Sequence, residues 1–182
     1  MAKKNTDLKL SQIKKQAKQL HIQEKYELED GSTITFYPIF PELKIEGMLE
    51  ELQRHTNTLH EKDVTLSDKM NLYFINLMMI KYFTHLGEQM PNHVLPEGKE
   101  AGLLDWLEHF ADTGLMKTIM DEVFMKDQVM KVYDKLTEFL GSAMLLEELG
   151  EKTQQHFKNM KLKNQDVFNK LEGFNVKADV VQ

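Results

Sequence analysis

Apolar positions along this chain change period several times, and each change marks an element. The most apolar run is LYFINLMMIKYFTHL, residues 72–86, broken only by Asn76, Lys81, Thr84 and His85. Leu72, Ile75, Met79, Tyr82 and Leu86 recur at a three-to-four spacing, which is one face of a helix. Phe74, Leu77, Met78 and Phe83 widen that face until little of the circumference is polar. A helix apolar nearly all round is buried on most sides. This run is too short and too interrupted to cross a bilayer, which takes about 18–20 apolar residues. Ser67 and Asp68 stand ahead of it as N-caps. The pattern predicts a central helix with the rest of the chain packed around it.

Upstream, residues 8–20 show a helical period, with Leu8, Ile13, Ala17 and Leu20 on one side. The period then shortens. Ile22, Tyr26 and Leu28 lie between polar residues, Asp30-Gly31 is a hairpin turn signal, and Ile34 and Phe36 follow. Strands over about 23–29 and 33–38 are predicted. Two strands alone are marginal in water, so the hairpin must pack on helices or pair with another subunit's edge. Pro38 ends the second strand, and Pro41 suits the first turn of a helix running to about His60. Leu43, Ile45, Met48, Leu49 and Leu52 make the apolar face of that helix, and Glu42, Glu46, Glu50 and Glu51 its acidic outer side.

Downstream of the central helix, Gly87 to Gly98 holds Pro91 and Pro96 and reads as a loop. A short helix over 99–111 carries Leu103, Leu104, Trp106, Leu107 and Phe110, and Asp112-Thr113-Gly114 breaks it. Leu115 to Phe124 and a helix from about Asp127 follow, with a kink at Gly141 before Met144, Leu145, Leu146 and Leu149. Beyond Gly150 apolar residues thin out. The organisation expected is a basic amphipathic leader over 1–21, a hairpin-plus-helix core over 22–150, and a polar peripheral helix and flexible tail over 151–182. The fold class is mainly α, with an N-terminal β-hairpin packed on a multi-helix bundle.

Charge sharpens this picture. The formal net charge of −6 combines +5 over residues 1–20 with −11 over the rest. An acidic body argues against nucleic acid as the main ligand, because duplex binding rests on neutralising phosphates. The absence of cysteine excludes disulfides and thiol chemistry and suits a reducing compartment. The N-terminus has lysines without an apolar segment behind them, so no signal peptide is expected. There are 12 methionines, flexible side chains that fill core gaps or line adaptable binding surfaces.

Candidate chemistry is sparse. No G-x-S-x-G, G-x-x-x-x-G-K-[ST] or G-x-G-x-x-G occurs. Asp105 with His109, and His85 with Glu88, fall three or four apart and are the one set from which a helical bundle would build a metal site. Such pairs also arise by chance in acid-rich helices, so neither metal nor cofactor is expected. Trp106 and Phe110 suit an interface anchor or the core. For Met116 and Met120 internal packing is the default reading, and a groove for an apolar helix the alternative.

Three motifs together resemble a known family. They are TFYPIFPELKIEGMLEELQ at 35–53, LMMIKYFTHL at 77–86 and DTGLMKTIMDEVF at 112–124. Their combination over about residues 22–140 is similar to the tail assembly chaperones of long-tailed phages and prophages of Gram-positive bacteria. The resemblance implies a helical, non-enzymatic protein that binds the tape measure protein and keeps it soluble until tail tube subunits polymerise. It implies self-association, action in the host cytoplasm and absence from the mature virion. It also implies a longer frameshifted form that recruits the tail tube protein. Trp106, Phe110, Met116 and Met120 are the nominated client surface, on grounds of apolarity. A structural or regulatory component of the phage particle is the alternative, and a helical-bundle metalloenzyme a more distant one.

Overall fold

A computed structural model describes residues 7–141. The chain divides into two compact units, Met1–Leu136 and Thr137–Gln182. All elements below lie in the first, apart from the last residues of one helix. The expected apolar cluster at 144–149 and the polar tail at 151–182 lie outside the described residues. The architecture is mainly α with one N-terminal hairpin.

Helix α1 spans Leu10–Gln19, and every residue of it is exposed. Strands β1 (Glu24–Glu27) and β2 (Thr33–Phe36) pair antiparallel, with Glu24 opposite Phe36 and Tyr26 opposite Ile34. The turn between them holds because Gly31 takes φ +82°, open to glycine at little cost. Beside it, the Asp30 carboxylate accepts from the Ser32 amide at 2.9 Å and the Ser32 hydroxyl at 2.6 Å. Ile34 and Phe36, two apart, turn one face of β2 into the core.

What supports this two-stranded sheet is the chain's own helical body. Phe36 bridges to Thr84, and the Thr35 amide donates to His85 Nδ1 at 3.1 Å. The aromatic turn that follows fastens the junction. The Tyr37 amide donates to the Phe83 carbonyl at 2.9 Å. Phe40 stacks on Phe83 with ring centres 3.8 Å apart and meets Phe124 edge-on at 5.0 Å. Its backbone amide donates to Gln128 Oε1, and its carbonyl accepts from the Lys131 ammonium, both at 3.0 Å.

Helix α2 covers Glu42–Glu61 and buries Ile45, Met48, Leu49, Leu52 and Leu59. Two expectations fail here. Leu43 is 81% exposed, because it lies on the Glu46 and Glu50 stripe of the helix rather than on the inward one. Glu51, assigned to the acidic outside, is buried.

Helix α3, Asp68–Phe83, is the centre of the fold, packed against α2 and two later helices. The Ser67 hydroxyl caps it by accepting the Met70 amide at 3.3 Å. Leu77, Met78, Met79 and Ile80 are consecutive, so they point in four directions, and all are fully buried. The helix is therefore enclosed on every side at this level. Its first turns are less so, and Leu72 is 46% exposed. It ends at Phe83 rather than at Leu86, where Thr84 turns extended to bridge Phe36 and a short 3-10 turn, His85–Gln89, begins.

Helix α4 is Leu103–Asp112, starting later than position 99 because residues 97–100 form a tight turn. A Cβ on Gly102 would lie 2.5 Å from the Leu95 carbonyl carbon and 2.7 Å from the Val94 oxygen, so only glycine fits at this N-cap. Helix α5 is one turn, Leu115–Thr118, and leads into a π-turn over Ile119–Val123. There the Phe124 amide bonds the Ile119 carbonyl at 3.0 Å. The wider turn brings Phe124 to the Phe40 ring. Helix α6 begins at 126 and is described to 141.

Candidate functional site

Two adjoining clefts lie where α3, α5 and α6 meet, and Met120 lines both. The smaller, about 210 Å³, is walled by Tyr73, Ala111 and Met116. The larger, about 520 Å³, is walled by Phe124, Val129, Met130 and Tyr133. Asn76 and Asp121 belong to both. The Tyr133 hydroxyl donates to Asn76 Oδ1 at 2.7 Å, fixing α6 to α3 at the groove floor, and burial pushes that phenol's pKa up. Lys117, Asp121 and Lys126 supply charge at the edge. The result is a methionine- and aromatic-walled groove with a charged rim, a shape suited to apolar side chains of varied outline.

The four nominated residues are distributed unequally. Phe110 and Met116 are packed inside, at 7% and 4% exposure. Met120 is half-buried in the groove wall. Trp106 is 37% exposed and meets His109 edge-on, with ring centres 5.7 Å apart. The groove thus unites Met116 and Met120, while Trp106 sits on α4 outside its lining. Sequence reasoning missed Tyr73, Asn76, Val129 and Tyr133. One signal was present: Asn76 is a polar break within the apolar run, and its side chain is the one that binds Tyr133.

The most concentrated polar chemistry lies elsewhere, between α2 and α3. Glu51 Oε1 receives the Lys81 ammonium at 2.7 Å and lies 3.0 Å from His55 Nε2, while Oε2 accepts the Tyr82 hydroxyl at 2.5 Å. Lys81 also donates to the Pro91 carbonyl at 2.9 Å and to Asn92 Oδ1 at 3.0 Å. Burial alone would push the Glu51 carboxyl up. The hydrogen bonds from His55, Lys81 and Tyr82 outweigh it and hold the pKa at about 2. Burial and the bond to Glu51 push the Tyr82 phenol up. Each strong donor and acceptor here is matched by another, so the cluster ties α2, α3 and the 91–92 loop together.

Asp105, His109, His85 and Glu88 do not converge. Asp105 caps α4 by accepting the Gly102 amide at 2.7 Å, His85 accepts the Thr35 amide, and His109 lies against Trp106. Among the described residues no helix is long and apolar enough to cross a membrane.

No curated protein and no solved structure matches the chain. The sequence profile of one family, YomO, matches residues 10–179 and so covers nearly the whole chain, including the leader helix that the three resembling motifs leave out. The chain belongs to the YomO family, a phage-associated family.

Proposed function

We propose that this protein is a phage tail assembly chaperone that acts by binding and without catalysis. Its client is the tape measure protein, held soluble in the host cytoplasm until tail tube subunits polymerise around it. A longer frameshifted form would bring the tube protein, and the chaperone leaves before the virion matures. The observation that carries this reading is the groove built on Met120. A long apolar helical client presents side chains at i, i+3 and i+4, and a groove of methionine and aromatic rings between helices accepts such a stripe. Methionine adapts to many sequences without a unique fit, as a chaperone of a long client requires. Membership of a phage-associated family and the acidic body, which keeps a coated client soluble, point the same way.

Co-expression with the long helical protein encoded beside it in the phage genome tests this. A soluble complex with several copies per client is expected. Met120→Asp/Met130→Asp should cut the recovered complex at least tenfold while far-UV circular dichroism stays unchanged. An insoluble client beside soluble chaperone, or this chain retained in mature virions, would reject the proposal.

A further inference from the structure

A second cleft is distinct from the groove, although Leu115, Thr118 and Glu122 in its lining alternate along the chain with Met116, Met120 and Asp121 of the groove. It is about 710 Å³ and opens between the hairpin turn and α5. Leu28, Leu115 and the Tyr26 ring give it apolar wall, and Glu27, Glu29, Asp30 and Glu122 give it acid. Tyr26 donates to Glu122 Oε2 at 2.8 Å, which holds one carboxylate at the wall. No basic residue is found in the lining among the described residues.

Helix α1 is its complement. Residues 8–20 carry Lys9, Lys14, Lys15 and Lys18 and no acid. At 100° per residue Leu10, Ile13, Ala17 and Leu20 form one stripe, with Lys9 and Lys14 on its two flanks and Lys18 next to Lys14; Leu8, expected on this side, precedes the helix and falls off the stripe. That stripe faces solvent: Leu10 is 83%, Ile13 45% and Leu20 38% exposed. A ten-residue helix gains too little from its own hydrogen bonds to be stable alone, so an apolar stripe of this kind calls for a partner.

We infer that α1 of one copy docks in the acidic hairpin cleft of a second copy, apolar stripe inward and lysines against the Glu27, Glu29 and Glu122 carboxylates. A helix from the same chain is present at the same concentration as the cleft, and both the apolar and the charge pattern match. The structure holds α1 clear of its own cleft, which lies toward the far end of β1 from the residue 20–23 connector. Reciprocal exchange of two leaders closes a dimer. This inference does not rest on the client reading.

The test is light scattering of the full chain over a concentration series, with charge reversal on each side. The native chain should form dimers. Lys14→Glu/Lys18→Glu and Glu27→Lys/Glu29→Lys should each be monomeric over the same range, with the thermal unfolding of the native chain at dilutions where it too is monomeric. Mixed one to one, the two variants should form a dimer again, since each leader then faces a cleft of opposite charge. Because the protein has no cysteine, a Gln16→Cys chain and a Thr113→Cys chain, mixed and treated with a short bis-maleimide, should join at twice the chain mass. A native chain that stays monomeric would overturn the inference, whether or not it binds anionic vesicles through α1. So would a dimer indifferent to both reversals. A Gln16→Cys/Thr113→Cys chain that cross-links only within itself would show docking in its own cleft and overturn the second copy as occupant.

Discussion

Helices α1 and α3 both carry apolar residues at helical spacing, yet the fold treats them oppositely. In α3 four consecutive positions are fully buried, and in α1 none is. The difference is partners rather than propensity. Around α3 the chain supplies α2 on one side, α4 and α5 on others, and an aromatic turn that stacks Phe40 on Phe83 at its C-terminal end. Around α1 the described residues bury no position. An amphipathic pattern states which face seeks cover, and only tertiary structure says whether the same molecule provides it.

The sharpest way to break this contrast is to remove the stack. Phe83→Ala should cost about 3–5 kcal/mol, the range for deleting a fully buried aromatic ring. Phe83 is wholly buried and its ring stacks on Phe40, in the turn that follows the hairpin, so the hairpin should loosen with it. Urea unfolding followed by tryptophan fluorescence measures the loss, with Trp106 as the single reporter. A change under 1 kcal/mol would mean the aromatic junction is not a principal support.

Lys81→Met is next. It leaves the Glu51 carboxylate buried without its closest cation, and breaking such a pair costs about 3 kcal/mol. The same cluster predicts a pH dependence. The folded pKa of Glu51 is about 2, below its unfolded value near 4.5. Its contribution is therefore complete above about pH 4.5 and lost as pH falls toward 2. Allowing for solvent screening, this amounts to roughly 1–2 kcal/mol. Denaturation midpoints taken from pH 6 to pH 3 should fall in the native chain and fall less in Glu51→Gln. Parallel curves would assign the acid sensitivity to other carboxylates.

How much of this was legible beforehand divides along the same line. The elements were readable, because periodicity, the Asp30-Gly31 turn, the Ser67 cap and the Thr113-Gly114 break are local signals. Their partners were not. Glu51 shares a sequence context with Glu50 and looks equally solvated. What buries it is Lys81 and Tyr82, about thirty positions on; in sequence Lys81 is a polar interruption of an apolar run and Tyr82 a member of its apolar face. Leu43 erred in the other direction, because a leucine beside Ile45 reads as core until the helix phase is fixed. The end of α3 at Phe83 depended on Thr84 finding Phe36 and on His85 finding Thr35 across fifty residues. For the site, Met116 and Met120 were readable as apolar, but the walls from Tyr73 and Tyr133 required knowing that α6 returns to α3.

Leu10→Ala/Ile13→Ala gives the smallest effect on stability and the most direct statement of the contrast. Elsewhere in the chain, removing two large aliphatic side chains from one helix face would cost several kcal/mol. Here both residues are exposed, so unfolding of the dilute chain should shift by no more than about 0.5 kcal/mol. The same double substitution should weaken association, because it shortens the stripe that enters the second copy's cleft. Stability measured where the native chain is monomeric separates the two effects. A large loss there would show that α1 is bound to its own body in solution, and the two helices would no longer be opposites.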